Sequence, residues 1–80
     1  MPSKSLQSFP SNTRSYIAAN VRSRRKAKNL SQEKLGELAE FHRTYVSQLE
    51  RCKVNISIEG LERIARILGV DTAELLQPPA

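Results

Sequence analysis

The stretch from Leu30 to Arg51 constrains this chain more than any other. Leu35, Leu38 and Ala39 recur at helical spacing, and Ser31 before them is a good N-cap, because its hydroxyl can accept an orphan backbone N–H of the first turn. The pattern breaks at Glu40-Phe41 and resumes with Val46 and Leu49, joined by Phe41 or Tyr45. Two helices of about eight residues each are too short to persist alone in water. The rest of the chain must therefore fold around them and hold them.

The flanking sequence supplies the means. A first helix starts at Thr13, or with Asn12 as its cap, and runs to about Lys28. Its inner stripe is Tyr16 or Ile17, then Val21, with Ala27 and Leu30 at the end. Asn29 is suited to the position after the helix, since Asn tolerates a left-handed conformation. Ser57 caps a helix that runs through about Leu68, with Ile58, Leu61, Ile64, Ala65 and Leu68 as its inner stripe. Gly69 terminates it. Asp71 and Glu74 have capping-box spacing for a short last helix ending in Leu75 and Leu76, and Pro78-Pro79 forbid continuation. The reading is all-α, with five helices in one domain over residues 13–77. Residues 1–12, rich in Ser and containing Pro2 and Pro10, read as a flexible N-terminal tail.

Composition narrows the function. Eighty residues allow one modest core. No apolar run approaches the roughly 20 residues of a membrane span, so no membrane role is expected. One cysteine, Cys52, cannot form an internal disulfide, and one histidine leaves no zinc site of the usual spacing, so no metal and no cofactor is expected. A reducing cytoplasm fits. No Cys–His pair, carboxylate pair or phosphate-cradling glycine loop suggests an enzyme. The net charge of +5 is unevenly spread. Residues 1–30 carry seven basic side chains and no acid, whereas residues 31–80 carry six basic and eight acidic ones. A basic block of this kind attracts phosphates, or is simply a solvated helix face.

Three runs in order carry a family resemblance: Leu-Ser-Gln-Glu-Lys-Leu from Leu30, Arg-Thr-Tyr-Val-Ser-Gln-Leu-Glu-Arg from Arg43, and Leu-Glu-Arg-Ile-Ala-Arg-Ile-Leu-Gly-Val from Leu61. Together they resemble the helix-turn-helix domain of phage repressor and Cro-type regulators. The Arg-Thr-Tyr-Val-Ser run is most similar to the controller proteins of restriction–modification systems. The resemblance covers about residues 14–76 and implies a five-helix repressor-like fold. The chain departs from the family pattern at Gly36, where relatives usually have Ala. It departs again at Asn29, Glu40 and Cys52, each at a position where Gly is common.

Site residues follow partly from chemistry and partly from the resemblance. With Val46 and Leu49 turned inward, Arg43, Thr44, Ser47 and Gln48 occupy the opposite face of the second short helix, matching the family's base-reading positions; the alternative is an ordinary solvated face. Arg can bridge O6 and N7 of guanine, Gln can pair with N6 and N7 of adenine, and a Thr methyl can touch that of thymine. Tyr45 can reach a phosphate with its hydroxyl or cover the core edge. His42 can cap the helix or meet a phosphate. Gln32 matches the family's phosphate-gripping glutamine, at a helix N-terminus that favours anions. Arg51, Lys53 and Asn55 fall in the following loop, where backbone phosphates are met. The resemblance implies a salt bridge between Arg25 and Glu50; otherwise Arg25 is a surface phosphate contact.

Ile67, Val70, Leu75 and Leu76 offer more apolar surface than a core of this size needs, and in the family this region commonly forms a homodimer; the alternative for each of the four is plain core. The implied partner is double-stranded DNA with a palindromic operator, where the bound dimer blocks or recruits RNA polymerase. Three rivals stand beside this reading of a controller of restriction–modification gene expression. One is a phage- or plasmid-type repressor, and another is an antitoxin-like protein-interaction module. The third, RNA binding, lacks the aromatic side chains such proteins stack bases on, with four aromatics in the chain.

Overall fold

The computed structural model describes residues 12–79, so the tail read over residues 1–12 lies outside it except for Asn12. The described residues form α1 (Thr13–Ala27), α2 (Gln32–Ala39), α3 (Arg43–Glu50), α4 (Ile58–Leu68) and α5 (Thr72–Leu75). The starts of the helices follow the caps. The hydroxyl of Ser31 accepts from Lys34 N–H at 2.9 Å, and that of Ser57 from Gly60 N–H at 3.0 Å. The imidazole of His42 does the same for Thr44 N–H at 3.1 Å, so this histidine is the cap of α3. At α5, the Glu74 carboxylate accepts from Asp71 N–H at 3.0 Å, within a capping box. Asn12 precedes α1 without a side-chain cap bond.

The first four helices all end in the same way. The N–H of Leu30, Phe41, Lys53 and Val70 donates to the carbonyl five residues back, that of Arg25, Gly36, Gln48 and Ala65, at 2.7–3.1 Å. This closure needs a left-handed residue just before the donor. Asn29, Glu40, Cys52 and Gly69 fill that position with φ of 58°, 64°, 65° and 73°. Only one of the four is glycine. Gly36 serves a different purpose: a Cβ there would lie 2.6 Å from the Phe41 carbonyl oxygen, so the α2–α3 turn folds directly onto the helix.

One core joins all five helices. Ile17 and Val21 of α1 meet Leu35 and Ala39 of α2, Val46 and Leu49 of α3, Leu61, Ile64, Ala65 and Leu68 of α4, and Leu75 of α5. Burying side chains of this size stabilises by about 1.5–3 kcal/mol each, which is what the short helices α2 and α3 need from their neighbours. The buried face of α1 also carries a polar residue. Asn20 directs its Nδ2 at the carbonyls of Leu75 (3.0 Å), Gln77 (2.8 Å) and, more weakly, Glu74 (3.4 Å). It thereby satisfies the end of α5, while Arg24 reaches Glu74 at 3.3 Å.

Four apolar residues differ from the sequence expectation. Ile58 is 74% exposed rather than part of the inner stripe, because it opens α4 in an exposed run with the cap Ser57 and Glu59, and burial begins at Gly60. Leu38 is 43% exposed on α2, and Ala27 is exposed at the end of α1. Leu75, expected at a dimer interface, is 0% exposed within the single chain and belongs to its core. It is drawn in by the clamp of Asn20 on α5, which leaves it no surface to offer another copy.

Candidate nucleic-acid interface

α3 presents its polar face as the helical period demands. Val46 and Leu49 point into the core, Arg43 and Thr44 are exposed, and Ser47 and Gln48 are half-buried along the flank. Beyond the helix, Arg51, Lys53 and Asn55 are all exposed. Arg43, Thr44, Ser47, Gln48 and Arg51 therefore form one row, from the first turn of α3 to the residue after its last. The row supplies two guanidinium groups, an amide and two hydroxyls, a donor-rich set suited to base edges and phosphate oxygens.

The orientation of that row is set from behind. Arg25 Nε donates to Glu50 Oε2 at 2.6 Å, and a second guanidinium nitrogen donates to Oε1 at 3.0 Å. The remaining arginine terminus donates to the Leu30 carbonyl at 2.7 Å. Such a two-pronged pair fixes direction as well as distance. It links the last helical residue of α3 to α1 and to the α1–α2 turn. Gln32 completes the arrangement, its Nε2 donating to Glu50 Oε1 at 3.1 Å. The expected phosphate-gripping glutamine thus spends a side-chain donor inside the domain, on the carboxylate that positions α3.

A second brace holds the other side. The Phe41 and Tyr45 rings stack with centroids 4.7 Å apart and planes inclined by 19°. The Arg63 guanidinium lies 4.6 Å over the outer face of this stack, at the Phe41 ring, and its Nε donates to the Ala39 carbonyl at 2.9 Å. Arg63 therefore satisfies the C-terminus of α2 while covering the turn between α2 and α3. The Tyr45 hydroxyl lies 3.5 Å from the Asn55 carbonyl, at the limit of a hydrogen bond. Its ring covers the core edge while the hydroxyl faces the loop after α3. Phe41 finds room because Gly60 faces it: a Cβ on Gly60 would lie 2.8 Å from the ring edge.

Sequence reasoning missed Asn20 and Arg63. Asn20 carried a signal, as a polar residue one position before Val21 on the stripe that turns inward. Arg63 carried none, because a basic residue on a helix flank looks like any solvated one. Elsewhere, Lys34 donates to Glu37 at 2.8 Å on the solvent side of α2, and this hydrogen bond and charge hold the Glu37 carboxyl below the usual carboxylate range. Among the described residues, no helix is long and apolar enough to cross a membrane.

Comparison with known proteins agrees with the geometry. The sequence family described as helix-turn-helix matches residues 21–75. Control protein C.BamHI of Bacillus amyloliquefaciens is 42% identical over 66 residues, covering 81% of this chain and 82% of that protein. The crystal structure of the restriction-modification controller protein C.AhdI from Aeromonas hydrophila superposes with a TM-score of 0.72 at 35% identity, over 75% of this chain and 91% of the other. The master regulator for biofilm formation SinR, crystallised in complex with DNA, also gives 0.72, at 34% identity and over 76% and 98% of the two chains. The α2–turn–α3 unit, its polar outer row and these likenesses have one reading: the chain belongs to the helix-turn-helix family of DNA-binding transcription regulators.

Proposed function

We propose that this chain is a dimeric, sequence-specific reader of double-stranded DNA that controls expression of restriction–modification genes from the cytoplasm. The observation that carries the reading is the row Arg43, Thr44, Ser47 and Gln48 on the outer face of α3, locked from behind by Arg25 and Glu50. Arg43 and Gln48 read bases, Thr44 and Ser47 assist, and Tyr45, Arg51, Lys53 and Asn55 meet the phosphates. Gln32 adds a contact from the start of α2 through whichever donors Glu50 leaves free. The likeness to C.BamHI and C.AhdI supports the restriction–modification role.

Two copies of a reader with one recognition helix each would bind half-sites about 34 Å apart on one face of a palindromic operator. Ile67, Val70 and Leu76 remain for that contact, the last being 40% exposed. The protein acts by occupancy rather than catalysis, blocking or recruiting RNA polymerase at the promoter it covers. Selection of bound sequences from a random duplex pool tests the whole reading. A two-fold symmetric motif with half-sites one turn apart is the expected result. The absence of any enriched motif, with only weak salt-sensitive binding, would overturn it.

A further inference from the structure

The basic block of α1 divides by its partners. Arg25 is tied to Glu50 and Arg24 to Glu74. Arg22 and Lys26 differ from both: they are exposed, and among the described residues neither enters an ion pair. They stand four residues apart, so their side chains lie one above the other on a single helix face. Like charges at that spacing weaken a helix. The pair is therefore a cost to the fold that an anion would remove.

The surface beside the pair is shaped to receive one. Arg22 and Lys26 border an open groove of about 520 Å³ whose far wall carries Arg51. The rest of the α1 wall is made of small residues, Ser15 and Ala19 in the turns before Arg22 and Ser23 between the two cations. These leave room for a sugar–phosphate chain and offer two hydroxyl donors. Glu50 also reaches the groove, but its side chain is 3% exposed and its oxygens are taken by Arg25 and Gln32. Arg51 connects this groove to the recognition face. Thr44, Gln48 and Arg51 follow one another at i, i+4 and i+7, so Arg51 ends the row on α3 and begins the groove beside α1.

We infer that the groove is a phosphate track, in which Arg22 and Lys26 together with Arg51 hold the backbone of the same duplex whose bases α3 reads. The inference rests on the DNA-reading role of α3 and extends the contact surface to a helix outside the helix-turn-helix unit. The track carries no sequence information of its own, since phosphates position a protein without specifying bases.

The test uses the full chain and the duplex it selects from a random pool. The variant Arg22→Gln/Lys26→Gln removes both charges while keeping polar, unbranched side chains of good helix propensity, and its thermal melt reports whether the fold is kept. The salt dependence of its binding should be shallower by about 2 log units per log unit of salt for each bound protomer, from roughly 0.9 per lost phosphate contact. Its selected motif should be unchanged. In phosphate-ethylation interference, one or two phosphates per half-site should matter to the parent protein and not to the variant. The exchange Arg22→Lys/Lys26→Arg should behave like the parent, because a point charge suffices at a phosphate. An unchanged salt slope and interference pattern would overturn the track while leaving the reading of α3 intact, provided Arg43→Ala still alters the motif. A variant that loses the motif itself would also overturn it, by showing that the pair acts through α3. A parent protein that selects no duplex would overturn both.

Discussion

Arg25 and Glu50 are 25 residues apart in sequence and meet at 2.6 Å, with side chains only 10% and 3% exposed. The pair joins α1 to the end of the recognition helix, so the direction of α3 depends on a charge in another element. Removing one partner from a buried pair strands the other, at a cost of about 3–5 kcal/mol. Arg25→Ala is expected to destabilise by that amount in urea denaturation. Arg25→Met/Glu50→Leu should regain most of it, because an apolar pair of similar volume avoids the stranded charge. A regained stability without regained DNA affinity would show that the pair also fixes the pose of α3. A double variant no more stable than Arg25→Ala would contradict the argument.

Arg43 and Lys53 are both exposed cations near α3, but they stand in different places. Arg43 opens the polar row, where a forked guanidinium can span two acceptors of guanine. Arg43→Ala should cost about 1–3 kcal/mol on the preferred sequence and relax the preference at one position per half-site. Lys53 lies in the loop beyond the helix. Lys53→Ala should weaken binding to all sequences alike and flatten the salt dependence by about 1 per protomer. Titration of both variants on the selected and a scrambled duplex at several salt concentrations separates the two roles. Equal losses for Arg43→Ala on both duplexes would remove its base-reading role.

The helix endings offer a stability experiment. Glu40 and Cys52 sit in the left-handed region at φ of 64° and 65°, where a Cβ costs roughly 1–2 kcal/mol. Glycine avoids that clash but adds freedom to the unfolded chain, which offsets about 0.5–1 kcal/mol. Cys52→Gly and Glu40→Gly are each expected to stabilise by up to about 1 kcal/mol. The opposite change, Gly69→Ala, should destabilise. Thermal melts of the three variants test the set, and a lower melting temperature for both glycine variants would refute the strain.

Much of this architecture is legible in the sequence for physical reasons. Ser31, Ser57 and Asp71 precede apolar periodic runs, and capping is local, so the helix starts can be read residue by residue. The left-handed turn at Asn29 is legible because Asn tolerates that conformation, but those at Glu40 and Cys52 are visible only through the resemblance, since neither is a residue that favours it. Periodicity also says which face is apolar but not what covers it. Leu75 and Ile58 show the limit in opposite directions. Leu75 is drawn fully inside because Asn20, 55 residues away, clamps the carbonyl end of α5. Ile58 has the right phase and yet is 74% exposed, because it stands at the first position of α4. The polar row of α3 is legible because it is the complement of Val46 and Leu49 on a helix of only eight residues.

Asn20 makes a local prediction. It serves the carbonyls of Leu75 and Gln77, at and just beyond the end of a helix of four residues that has little stability of its own. Asn20→Ala would leave the buried Leu75 carbonyl without its donor, at a cost of about 1–3 kcal/mol, and the part-buried Gln77 carbonyl with it. The loss should be concentrated in α5. Amide hydrogen exchange should accelerate there and at Val70 more than in α2 and α3. Uniform acceleration across all helices would mean that α5 unfolds only with the whole domain.

Phe41 and Gly60 form a large–small pair. The ring stacks on Tyr45 under Arg63, and the space it fills exists because Gly60 has no side chain. A Cβ at position 60 would lie 2.8 Å from the ring edge and 3.2 Å from Ile56 and Ser57. Gly60→Ala therefore combines two effects of opposite sign. Helix propensity favours alanine by about 1 kcal/mol. Displacing the Phe41 ring opposes it and disturbs the stack that braces Tyr45 at the recognition helix. With Val at position 41 the second effect disappears, since the shorter side chain does not reach the new methyl. A double-mutant cycle of Gly60→Ala and Phe41→Val should thus show a favourable coupling, within the roughly 0.5–3 kcal/mol typical of contacting residues. Gly60→Ala should be more stabilising, or less destabilising, in the Phe41→Val background than in the parent. Strict additivity in urea denaturation would mean that the ring moves aside without cost. The DNA affinity of Gly60→Ala would then show whether its new position still supports Tyr45.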